Sequence, residues 1–336
     1  MLVYDPAFLG HVAHQWHVER PDRLVAIAGA LEQAGMWRGV VTPSRETHEG
    51  LLLAHTESYV DLLATASVPE LDPETPLRPE TIDIARLAAG AAVEAARRSD
   101  AEGRPWFALV RPPGHHAARD HGGGFCYVNN VAIAALRLLQ AGRKRVAILD
   151  YDAHHGNGTE DIFRSDPQVL YVSTHQWGIY PGTGPAEDVG DGDGRGHTVN
   201  IPFGAGCGDA SYLAAFDEVV EPIGSAFRPE AVLISLGVDA HYRDPITGLV
   251  LSSPGYVELL RRTFAATRRW CAGRAAVVLE GGYHLAALAE VVAGVVGLAA
   301  GVEVPLTLAK VSDAKGRGQD IVDSVRRIHG GFWNLR

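Results

Sequence analysis

In the segment LDYDAHHGNG, Asp150, Asp152 and His154 alternate at the end of an apolar run, and alternation sets side chains on one side of an extended chain. Asp152 and His154 therefore suit two adjacent ligands of a divalent ion. The plainer alternative is a polar strand end, with the next helix capped by Asn157 or Thr159. Asp239, just beyond a second apolar run, supplies the missing third ligand and strengthens the metal reading. Two carboxylates and an imidazole around an open position suit a catalytic zinc or iron(II), where bound water becomes a nucleophile near neutral pH. His115 and His116 follow a rigid Arg-Pro-Pro-Gly. As an isolated pair they would be ordinary loop surface. Beside a metal they become a candidate general base and acid, because imidazole titrates near the working pH. Tyr283 follows two glycines that let the chain turn sharply; its phenol could donate to a developing oxyanion, or could simply pack at a strand end. His11, His14 and His17 read mainly as a polar loop, the alternative being that one of them lines the site. The run GDGDGRG lacks the carboxylate spacing and terminal Glu of a calcium loop and reads as a turn.

Four apolar, β-prone runs carry these clusters: WFALV before RPPGHH, RVAILD before YDAHH, AVLISLGV before DAH, and AAVVLE before GGYH. In open α/β sheets, sites lie beyond the carboxyl ends of the strands. Strands are expected at 106–110, 146–150, 169–173, 198–201, 231–236 and 275–280. Helices are expected at 20–36, 81–98, 129–141, 158–164, 210–227, 254–272 and 285–300, with a short one in the tail. Such alternation without an internal linker predicts one doubly wound α/β domain over 1–336, its mostly parallel sheet flanked by helices. The proline- and acid-rich stretch 67–80 should be an irregular surface loop. The Gly-rich loops exceed normal connection lengths, and such loops are usually functional.

Composition excludes several classes. With 336 residues, 46% of them apolar, the chain can bury a sizeable core. A formal charge of −10 disfavours nucleic acid as a partner and mildly favours cationic substrates. Three cysteines in no C-x-x-C spacing argue against a disulfide framework and a cysteine-ligated zinc finger. The N-terminus has no basic start followed by an apolar core, and the apolar stretch near 285–300 is broken by Glu290 and Gly294. Neither a secretory signal nor a membrane span is expected, so a cytoplasmic protein, with a homo-oligomer left open, is the simplest reading.

From about residue 16 to 300, the blocks RPPGHHA, GFCYVNNVAIAA, LDYDAHHGNGTEDIF, YPGTG, SLGVDAHYRDP and LEGGY resemble the histone deacetylase superfamily. That superfamily includes bacterial histone-deacetylase-like amidohydrolases and acetylpolyamine amidohydrolases. The resemblance implies the arginase/deacetylase fold, Zn²⁺ (Fe²⁺ being possible) on Asp152, His154 and Asp239, and Tyr283 polarising the substrate carbonyl. It makes His115 and His116 a tandem pair backed by Asp150 and Asn157. A carboxylate behind His115 favours imidazolium, while an amide leaves His116 nearer neutral, so His116 is expected to be the base and then the acid. The resemblance further implies a structural K⁺ near Asp150, Asp152, His154 and Ser173, and a second at carbonyls of Phe163, Asp166 and Val169. Phe125 and Tyr180 match the walls of a narrow acyl-lysine channel, which Gly124 and Ile246 also line, and Glu74 matches a rim carboxylate.

Departures are informative. Asn157 replaces the aspartate of some relatives, as in the class II-like branch. His284 follows the tyrosine where many members have Asn or Gly, and its side chain could alter the pocket; Ile246 is not the glutamate gatekeeper of the vertebrate polyamine deacetylase. The expectation is a zinc-dependent deacetylase acting on acetyl-lysine in a protein or peptide, or on an acetylated polyamine. An arginase-like two-manganese ureohydrolase would need a bridging carboxylate where Gly156 stands. A third possibility is a non-catalytic module that binds an acetyl ligand or a partner.

Overall fold

The computed structural model describes residues 1–14, 16–309, 313 and 316–335. Seven strands form one sheet: β1 (Leu2–Val3), β2 (Trp106–Ala108), β3 (Val146–Asp150), β4 (Val169–Gln176), β5 (Thr198–Phe203), β6 (Ala231–Leu236) and β7 (Ala275–Leu279). Their order is β1-β2-β7-β6-β3-β4-β5, and every pairing is parallel, where a mostly parallel sheet was expected. Almost every strand residue is buried, so helices must cover both faces, and the strands read as continuous Val/Ile/Leu/Ala runs for that reason.

The helices are α1 (Asp22–Gln33), α2 (His48–Leu51), α3 (Glu57–Thr65), α4 (Thr81–Glu102), α5 (Asn130–Gln140), α6 (Asn157–Phe163), α7 (Asp209–Ala215), α8 (Glu221–Phe227), α9 (Ser253–Cys271), α10 (Leu285–Ala300) and α11 (Gln319–His329). A π-helical turn, Phe216–Val220, joins α7 to α8, so the one helix expected over 210–227 is continuous but locally widened. Against the expected elements, α2, α3 and β1 are additions. The two helices are short and take their start from Thr47 and Thr56, whose hydroxyls accept from backbone N–H groups. Strand β1 is two residues long and pairs only with β2, too brief for a periodic signal. The stretch 67–80 is irregular apart from one bridge between Glu70 and Pro76, and GDGDGRG holds a single 3-10 turn, Gly192–Gly194. Among the described residues no helix is long and apolar enough to cross a membrane.

The strand order matters for chemistry. The clusters after β2, β7, β6 and β3 come from four adjacent strands that all end on the same edge. Asp150 is in register with Ser235 on β6 and with Ser173 on β4. Residues up to 170 positions apart in sequence are thereby delivered to one place.

Candidate active site

Asp152 and His154 follow β3 and Asp239 follows β6; one donor atom from each lies within 4.8 Å of the others. His154 Nδ1 is 2.9 Å from Asp239 Oδ2 and 3.2 Å from Asp152 Oδ1. The carboxylates are aimed by the backbone: Asp152 Oδ2 accepts from Gly281 N–H at 2.8 Å, and Asp239 Oδ1 from Ala153 N–H at 2.8 Å. Glycine is required around them. A Cβ on Gly281 would lie 2.5 Å from Asp239 Oδ2 and 2.6 Å from Asp152 Oδ2, and one on Gly237 would lie 2.1 Å from Asp152 Oδ2.

The electrostatics of this group ask for a cation. Both carboxylates are fully buried. Burial, and then the charge of Asp152, holds the Asp239 carboxyl up to about 7. Burial would raise Asp152 too, but His115 and His154 outweigh it and hold its carboxyl well below the usual range. Burial works against a charged His154, yet the two aspartates lift it to about 10. Two carboxylates sharing one imidazolium leave an excess negative charge out of water, which a divalent ion on two O donors and one N donor would neutralise. The three residues fit zinc or iron(II).

The tandem histidines sit opposite. His115 Nδ1 is 3.1 Å from Asp150 Oδ2, and His116 Nδ1 is 2.8 Å from Asn157 Oδ1. An amide oxygen only accepts, so His116 Nδ1 carries the hydrogen and Nε2 keeps the lone pair. Burial lowers His116 well below 6.5, and the charges of His115 and His154 push the same way. For His115 burial is outweighed by Asp152 and Asp150, which raise it to about 10. A cation on Asp152 would cancel part of that field and bring His115 down. The two rings lie 4.0 Å apart, so one charge on the pair opposes a second.

Tyr283 lines the same cleft as His116 and His154. Its N–H donates to Asp244 Oδ2 at 2.7 Å, while its ring meets Phe125 edge-on at 5.8 Å and Arg23 at 5.2 Å. Burial, with the nearby Asp239 charge, raises the phenol well above 10, so it remains a donor at neutral pH. His284 does not face the chemistry: its Nδ1 accepts from Ala287 N–H at 3.2 Å and caps α10.

The cleft has a volume of about 450 Å³. His115, His116, His154, Gly281 and Tyr283 line its inner part, and Phe125, Tyr180, Ile179 and Ile246 its apolar walls. Asp72, Pro73 and Glu74 also line it. Phe125 has φ +72°, a left-handed conformation that costs an aromatic residue about 1–3 kcal/mol. The loop before α4 holds it there: Thr75 Oγ1 accepts from Phe125 N–H at 2.9 Å and Asp72 Oδ2 from Gly124 N–H at 2.7 Å. Gly124 has no alternative, since a Cβ would lie 2.6 Å from His116 Cδ2 and 2.7 Å from Tyr180 Cε1.

Other expected residues fall elsewhere. Ser173 Oγ is 2.9 Å from His175 Nδ1, in register beside Asp150. Phe163 O and Asp166 O accept from Asp166 N–H and Val169 N–H, in the turn from α6 into β4. His11 and His17 are not simply loop surface. His11 and His17 are each 3% exposed, because His11 packs on Tyr127 and His17 bonds the backbone of Glu19 and Glu74. A Cβ on Gly156 would lie 2.3 Å from Asp150 Oδ2, so no bridging carboxylate fits there.

Sequence reasoning gave no role to Glu280, Asp72, Thr75 or Asp244. Glu280 Oε2 accepts from Gly114 N–H at 2.7 Å and His115 N–H at 3.2 Å, fixing the histidine loop from β7. Its one signal was an acid ending the apolar run AAVVLE.

The fold and cleft together define an α/β enzyme of the amidohydrolase class. The histone deacetylase domain pattern matches residues 17–299, and the chain belongs to that family. It is 39% identical to a probable deacetylase of Archaeoglobus fulgidus, over 99% of this chain and 98% of that one. It is also 39% identical to histone deacetylase 15 of Arabidopsis thaliana, over 98% of this chain but 62% of the plant protein. The crystal structure of the HDA15 HD domain superposes with a TM-score of 0.90 at 37% identity, covering 99% of this chain and 94% of that one.

Proposed function

We propose that this protein is a metal-dependent deacetylase that hydrolyses the acetyl amide of acetyl-lysine, in a protein or peptide, or of an acetylated polyamine. The observation that carries the reading is the convergence of Asp152, His154 and Asp239 in the cleft that Tyr283 and the neutral His116 also line. Asp152, His154 and Asp239 would hold Zn²⁺, or Fe²⁺. When bound, the ion supplies Lewis-acid polarisation of the carbonyl and lowers the pKa of water. Phe125 and Tyr180 hold the apolar stem between their rings and keep bulk water out. His116 Nε2 takes the proton of the attacking water as the C–O bond forms. It then gives that proton to the departing amine as C–N breaks, leaving acetic acid and the amine, which part as acetate and ammonium once the acid's proton passes to the amine. Tyr283 donates its hydroxyl hydrogen to the carbonyl oxygen as charge builds there. His115 is held in place by Asp150 and sets the field around His116. The family resemblance would add K⁺ near Asp150, Asp152, His154 and Ser173, and a second at the carbonyls of Phe163, Asp166 and Val169.

A fluorogenic acetyl-lysine peptide, with acetylputrescine and acetylspermidine beside it, tests this. Turnover of at least one, abolished by chelator and restored by zinc or iron(II), is the expected result. No chelator-sensitive turnover on any acetyl amide would sink it and favour a binding module. Two tight divalent ions in the inner cleft would favour the two-manganese reading, which the crowding at Gly156 opposes.

A further inference from the structure

A second cluster of metal-type side chains adjoins the cleft through Glu74, which is one of its lining residues. Donor atoms of His14, His17 and Glu74 all lie within 4.8 Å of one another. His17 is the fixed member: its Nδ1 lies 3.0 Å from Glu19 O, and its ring sits edge-on to Phe125 at 4.6 Å. Its Nε2 is 3.0 Å from Glu74 O and 3.7 Å from Glu74 Oε2. The His14 ring crosses that of His17 at 4.8 Å, and His14 and the Glu74 side chain are both open to solvent.

We propose that His14, His17 and Glu74 form a second, exchangeable site for a borderline transition-metal ion such as Zn²⁺, and that filling it closes the mouth of the cleft. Two imidazoles and one carboxylate suit Zn²⁺, Cu²⁺ or Ni²⁺ rather than Mg²⁺ or Ca²⁺, which prefer oxygen donors. Ligand atoms of a tetrahedral zinc lie roughly 3.3 Å apart, given bonds of about 2.0–2.2 Å. The exposed His14 and Glu74 can make that small contraction by rotamer changes, while His17 stays seated. His17 Nε2 must give up its contact with the Glu74 carbonyl, so the site is weaker than the buried one. Water or a substrate group completes the coordination. An ion there ties the segment containing His14 and His17 to the loop containing Glu74. Phe125, directly beneath His17, is one wall of the cleft. The ion therefore acts on substrate entry, and the enzyme is inhibited by zinc beyond one equivalent.

Zinc binding to the chelator-treated full chain, measured by equilibrium dialysis, should show one tight and one weak ion. His14→Ala should weaken the second at least about tenfold and leave the first. It should also remove inhibition by excess zinc without changing activity at one equivalent. Asp239→Asn should lose the tight ion and keep the weak one. Absence of a weak ion in the native chain, its unchanged affinity in His14→Ala, or its disappearance with Asp239→Asn would each overturn the proposal. Failure of the catalytic reading shows up separately, as a missing tight ion or absent turnover.

Discussion

Tyr283 and Asn157 show how much a single side chain decides. Tyr283 stays protonated because its phenol is buried near the Asp239 charge, so its hydrogen is available for the proposed donation to the substrate carbonyl. Removing one such donor costs about 10²–10³ in rate. Tyr283→Phe should lose that much kcat with zinc content unchanged; wild-type kcat in the variant would refute the role. Among the described residues, Asn157 is the only side chain bonded to His116 Nδ1. An aspartate there would favour the imidazolium, raising a pKa that the native chain holds well below 6.5. A base must be unprotonated to act, so Asn157→Asp should move the acid limb of the kcat/KM profile to higher pH. An unshifted limb would remove His116 from the proton transfer. The type of Tyr283 made it a candidate in sequence, whereas that of Asn157 suggested only a helix cap and its place behind His116 came from the family resemblance. Glu280 and Asp244 were not legible, since a buried carboxylate that binds backbone N–H groups looks, in one dimension, like any other acid.

At the level of elements, the loop before α4 props the wall of the cleft. Thr75 is fully buried and its hydroxyl takes the Phe125 N–H, so Thr75→Val keeps the shape and strands a donor. An unsatisfied buried group costs about 1–3 kcal/mol, enough to let Phe125 leave its left-handed conformation. Because the proposed role of that wall is to hold the stem rather than the reacting atoms, KM should rise about tenfold with kcat nearly unchanged, an increment of about 1.4 kcal/mol. Steady-state kinetics on the best substrate would show it; a fall in kcat alone would count against the assignment. The helices and strands themselves were mostly readable. Strand β3 and helix α10 lie where periodicity put them, 146–150 and 285–300. Helices α2 and α3 were missed because four and nine residues carry too little period to stand out.

Across the whole molecule, stability rests partly on charges sealed from water. Glu19 is 1% exposed and holds two fully buried arginines, Arg23 at 3.0 Å and Arg111 at 2.7 Å, which join the first loop to β2 and β7. Removing one partner of such a network costs about 3–5 kcal/mol, so Glu19→Ala should unfold at markedly lower urea concentration. Burial would raise the Glu19 carboxyl, but Arg111 and Arg23 hold it down to about 2. Its contribution is therefore full above its ordinary value near 4.5 and fades as pH falls toward 2. Burial also lowers His11, His55 and His329 from 6.5 to about 4, so their contribution is full above 6.5 and shrinks as pH falls toward 4. Melting temperature should thus start to drop below pH 6.5; a flat profile down to pH 4 would contradict this. Residue type and local apolar period belong to the chain in one dimension, and by themselves they established an α/β alternation with metal-type and acid–base residues closing four runs. Which of those runs lie side by side is set by packing between elements a hundred residues apart. Only the order β2-β7-β6-β3 makes Asp239 a neighbour of His154, lets Glu280 grip the loop of His115, and brings His17 onto Phe125.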